Sequence, residues 1–73
     1  MNITNDKIKS RVDLIVNEFK RDAMQGPWLY TDYRRCVNYL KGMELLTGEN
    51  ESINSGIAEL EAHYNQIKQQ AAA

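Results

Sequence analysis

The sequence predicts an all-α fold, either a small three-helix bundle or a helical hairpin, with a long heptad-patterned C-terminal helix. Three observations point that way. Apolar residues recur at steps of three and four along three separate segments. Two breaks divide the segments: Gly26–Pro27, and the stretch TGEN from Thr47 to Asn50. No stretch shows the strict alternation of a half-buried strand. The chain therefore reads as one helical domain over 1–73, with helices at about 5–24, 31–47 and 52–70.

In the first segment Ile8, Val12, Ile15 and Phe19 step by four, three and four, which places them on one stripe of a helix. Leu14 and Val16 flank the stripe. Thr4, Asn5 or Asp6 suits the N-cap, and Gly26 with Pro27 ends the helix.

Along the second segment Tyr33, Val37, Leu40 and Met43 or Glu44 approximate one face, with Cys36, Tyr39, Leu45 and Leu46 extending apolar character around it. Thr31 or Asp32 is the expected N-cap and Gly48 the expected C′ residue. Gly42 inside this helix costs about 1 kcal/mol relative to Ala. The expected compensation is close approach by a neighbouring helix.

The third segment has the cleanest period. Ile53, Ile57, Leu60, Tyr64, Ile67 and Ala71 step four, three, four, three, four, a heptad seam that fits a coiled coil and a bundle helix equally. Asn50 or Ser52 caps it.

A core this small is marginal alone, and such chains add disulfides, a metal or a partner. A single cysteine excludes an internal disulfide, and one cysteine with one histidine falls short of the four ligands of structural zinc. No Gly-rich phosphate loop is present, so no cofactor is expected. Support from a protein partner or from self-association is expected instead, as a homo-oligomer or as part of a larger assembly.

Formal charge is −1 overall but unevenly spread. Residues 1–41 carry eight Lys/Arg against five Asp/Glu, a balance of +3, and residues 42–73 carry one against five, a balance of −4. That polarity suits antiparallel packing or a contact between copies, and near-neutrality argues against a dedicated nucleic-acid binder. No apolar run approaches the roughly 20 residues that span a bilayer, and no signal-peptide pattern opens the chain. The acids among the basic flanks of the first helix also argue against a membrane-surface role. Unpaired Cys36 fits a reducing, intracellular setting.

The stretch GPWLYTDYRR, from Gly26 to Arg35, concentrates aromatic and basic side chains. As a helix buckle, Trp28 or Leu29 closes over the end of the helical layer and Tyr33 opens the inward face of the second helix. As a partner-binding surface, Trp28, Tyr30, Arg34 and Arg35 point outward, and these residue types dominate interface hot spots. Both arginines then lie near a helix N-terminus, where the dipole disfavours cations. That conflict invites an acidic neighbour such as Asp22, Asp32 or the Glu-rich third helix of another copy. A nucleic-acid platform would need a longer basic groove than this stretch offers.

Catalytic constellations are absent from the pattern. His63 falls one turn after Glu59 and reads as a surface pair. Cys36 reads as a small core residue, and Glu59 and Glu61 point to different helix faces. A noncatalytic protein is expected.

At YRRCVNYLKGMELLTGE, Tyr33 to Glu49, the chain resembles small helical proteins of tailed-phage structural-gene clusters: an aromatic (Tyr39), then Leu40 and Gly42 within a helix, then Leu45–Leu46 at its end. The resemblance implies a noncatalytic virion or head-assembly component acting through protein contacts. It would place the protein in the virion.

Overall fold

In a computed structural model that describes residues 5–22 and 28–72, three helices follow one another: α1 (Asn5–Asp22), α2 (Trp28–Thr47) and α3 (Glu51–Ala72). The Gly26–Pro27 break, Thr4 and the expected extension of the first helix to residue 24 lie outside the described residues.

Local chemistry sets the α2–α3 corner. Thr47 closes α2 by donating its hydroxyl to the Met43 carbonyl at 3.0 Å. Gly48 follows with φ at +87°, a left-handed conformation that glycine adopts without Cβ strain, and its N–H reaches the Glu44 carbonyl at 2.7 Å. Two residues on, the Asn50 Oδ1 accepts the Ser52 N–H at 2.8 Å and caps α3. The Nδ2 of the same side chain donates to Asn5 Oδ1 at 3.3 Å, tying the starts of α1 and α3 together. Asn50, not Ser52, is therefore the cap.

The helices run up, down and up, so α1 and α3 are parallel. Ile8, Val12, Val16 and Phe19 of α1, Leu29, Val37 and Leu40 of α2, and Ile53, Leu60 and Ile67 of α3 form the buried core. Ile15, Tyr33, Ile57 and Tyr64, expected in the seam, are half-buried and pack against its edge.

Gly56 accounts for the exchange of Ile15 for Val16. It is buried in α3, and a Cβ there would overlap Val12 Cγ1 and lie 3.3 Å from Leu40 Cδ1 and 3.6 Å from Val16 Cγ2. Without that Cβ, α1 settles on α3 through Val12 and Val16, which leaves Ile15 towards α2. The close approach expected at Gly42 thus occurs at Gly56, because no side chain comes within 4 Å of the Cβ position of Gly42.

The second helix also starts earlier than its expected N-cap. Thr31 and Asp32 lie inside α2, and Leu29, expected in a linker, is core. Glu59 does not hold His63. It faces Lys20 Nζ at 3.6 Å, an exposed contact worth little to stability. His63 instead meets the Phe19 ring edge-on, centroids 5.8 Å apart.

Candidate interaction surface

Trp28, Tyr30, Arg34 and Arg35 are all exposed, but the helix does not gather them into one patch. Seven residues, nearly two full turns, separate Trp28 from Arg35, so both fall on one side of α2. That side faces α1, where Arg35 lines a cleft with Glu18, Asp22, Asp32 and Cys36. Tyr30 and Arg34 lie four apart on the other side, towards α3.

On the α3 side an aromatic ladder has formed. Tyr33 and Tyr64 stack at 4.4 Å with only 12° between planes, and Tyr30 leans on both at 6.5 and 6.1 Å. Phe19 continues the ladder into the core at 6.4 Å from Tyr33, and Lys68 Nζ stands 5.0 Å from the Tyr64 ring centroid. Tyr33 and Tyr64 thus cover one another's faces. Burial pushes the Tyr33 phenol above its ordinary value, Glu61 adds to the rise and Arg34 opposes it.

Trp28 is the opposite case. It is 71% exposed, and the residue that closes the helical layer beside it is Leu29. Of the two readings of GPWLYTDYRR, the buckle falls to Leu29 and Tyr33, and Trp28 is left outward. The dipole conflict at the arginines also fades, because α2 begins at Trp28 and the effect is confined to the first turn.

Cys36 is half-buried in the α1–α2 cleft. Burial raises its thiol above the ordinary value, with Arg35 opposing and Asp32 and Glu18 adding, so the nucleophilic thiolate is disfavoured near neutrality. Among the described residues no group of three or more His, Cys, Asp or Glu could hold a metal ion. No helix among them is long and apolar enough to cross a membrane.

A second exposed surface lies lower on the same side. Leu14 is 46% exposed, Tyr39 47% and Leu46 86%, whereas Leu45, 89% exposed, lies about three turns from Arg34 and so on the other side of α2. Tyr39 and Leu46 line a cleft with Lys7, Ile8, Arg11 and Met43, and Leu14 borders Lys7 and Arg11 from the other flank. Periodicity read Tyr39 and the leucines only as a widening of the core face. The overlooked signal was a second heptad on α2, Trp28, Asp32, Arg35, Tyr39, Gly42 and Leu46, offset from the core stripe.

No family model, curated protein or solved structure matches this chain.

Proposed function

We propose that this chain is a noncatalytic structural or assembly protein that works through helix-mediated contacts with other protein chains. The supporting observation is the outward placement of Trp28, Leu45 and Leu46 on α2, a helix that meets the core through Leu29, Val37 and Leu40. Large exposed apolar side chains are common singly, but Tyr39 and Leu46 line one cleft and Leu14 borders the Lys7 and Arg11 that share it, a grouping of the kind that associates. The likeness of Tyr33–Glu49 to phage structural proteins makes the specific form of the proposal a virion or head-associated component. Trp28 and Arg35 then contact a neighbour from the α1 side of α2, and Tyr30 and Arg34 from the α3 side. An intracellular site, or the virion, belongs to the same proposal.

The same outward Trp28 also favours a second reading, in which the chain is a monomeric regulatory or inhibitory module for a host or viral protein. Light scattering across a dilution series, with Trp28 emission followed on the same samples, separates the two. Assembly predicts a defined oligomer and a blue shift of Trp28 as concentration rises. A monomer with red-shifted emission at every concentration refutes self-assembly and moves the surface to a foreign partner.

A further inference from the structure

The charges along the α1–α2 face have a symmetry that specifies a partner. On α1, Arg11 and Glu18 lie equally far on either side of the midpoint between Leu14 and Ile15, and so do Lys7 and Asp22. All four border the clefts of this face: the basic pair with Tyr39, Met43 and Leu46, the acidic pair with Asp32 and Arg35. Tyr39 is therefore level with Leu14, halfway along the face.

We infer that the α1–α2 face pairs with the same face of a second copy of this chain, antiparallel about a two-fold axis through Leu14 and Tyr39. The inference rests on the assembly reading above and names its surface. An isologous contact sets each residue against its symmetry mate across the axis. Turning the second copy end for end brings Arg11 opposite its Glu18 and Lys7 opposite its Asp22, twice each. It also sets Leu14 against Leu14 and Tyr39 against Tyr39 at the dry centre. A parallel arrangement would bring the acidic ends together instead. Asp22 already accepts the Arg21 guanidinium at 3.0 Å, so Arg11–Glu18 is the pair that selects the orientation.

Gly42 supplies an independent observation. It lies on the exposed heptad of α2 between Tyr39 and Leu46, and no intrachain side chain uses the space it leaves. Glycine in a helix interior lowers helix stability. On this face it removes the side chain that would hold a neighbouring helix away. The molecule measures 46 × 17 × 16 Å, and its long face is on the scale of the roughly 800 Å² that each partner contributes to a standard interface.

The test is sedimentation velocity of the full chain over a dilution series for four proteins: wild type, Arg11→Glu, Glu18→Arg, and the double exchange. The expected result is a wild-type dimer that weakens with salt. Each single reversal turns two attractions into two repulsions and raises the dissociation constant by about tenfold or more. The double exchange restores it. Arg11 and Glu18 are two turns apart within one chain, so that rescue reports a contact between chains. Circular dichroism verifies that the exposed substitutions leave the helices intact. Gly42→Gln should weaken the dimer while raising helix stability in dilute solution. A wild-type dimer indifferent to the single reversals, or a double exchange no tighter than the singles, overturns this surface and leaves the assembly reading standing. A wild type monomeric at every concentration overturns both this pairing and self-assembly.

Discussion

Replacing Gly56 and Gly42 by alanine, one at a time, should move stability in opposite directions although both lie inside helices. Each substitution gains about 1 kcal/mol of helix propensity. At Gly42 nothing within 4 Å opposes the new methyl, so the gain stands. At Gly56 the methyl would overlap Val12 Cγ1 and crowd Leu40 Cδ1 at 3.3 Å. Val12 is buried and β-branched, and a helix allows it essentially one rotamer, so its methyl has nowhere to turn. Relief requires α1 to lift off α3, and overpacking of this kind costs typically about 1–3 kcal/mol. Gly56→Ala should therefore be net destabilising by about 1 kcal/mol and Gly42→Ala stabilising by about the same. Their separation is a large share of what roughly 0.05–0.15 kcal/mol per residue provides in a chain this short. It should appear as a midpoint difference on the order of 10 °C. Urea and thermal unfolding by far-UV circular dichroism, in samples dilute enough to be monomeric, provides the measurement. Equal stability of the two variants, or a more stable Gly56→Ala, would refute close α1–α3 packing at Gly56.

Leu60, with 0% exposure at the centre of the bundle, should not tolerate Asp, because an unpaired buried charge costs more than this core holds in reserve. Native helix content in Leu60→Asp would remove it from the core. Asn50→Ala should cost about 1 kcal/mol in urea unfolding through loss of the α3 cap; an unchanged midpoint would mean that the Ser52 N–H finds an equivalent acceptor. Tyr33 yields a pH prediction. Its folded phenol is raised, so its contribution to stability is complete below the ordinary tyrosine value near 10 and declines as pH rises beyond it, where the unfolded chain ionises first. Tyr33→Phe, which keeps the ring stack, should flatten that alkaline decline, and an identical pH profile would show that Tyr33 is not its source.

The heptad of α3 was legible because spacing alone identifies an inward stripe, and Leu60 and Ile67 lie where it places them. So was the glycine that ends α2, since it acts within four residues, whereas at the start of α3 the sequence left Asn50 and Ser52 both open and the structure chose Asn50. Helix starts were harder: Thr31 and Asp32 have good capping chemistry, yet α2 begins at Trp28. Leu29 fell in a linker because an N-cap at Thr31 or Asp32 starts the helix beyond it. Whether Trp28 closes the helical layer or stands outward was open between two readings, and of the candidate site only the residue types at Trp28, Tyr30, Arg34 and Arg35 were legible. Their division between two faces was not, because it depends on the true phase of α2.

Local periodicity and capping by themselves determined three helices, their order, and the corner between α2 and α3, because those depend on neighbours a turn or two away. Tertiary structure alone decided which glycine is a packing site, since Gly42 and Gly56 look alike in a helix and differ only in what stands opposite. It alone decided that Val16 turns inward and Ile15 aside, because the rotation of α1 follows from its descent onto α3. It also left the α1–α2 face with Leu14, Tyr39 and Leu46 open: the three helices bury the stripes that meet at their common axis, and among the described residues no further helix covers the second stripe on α2.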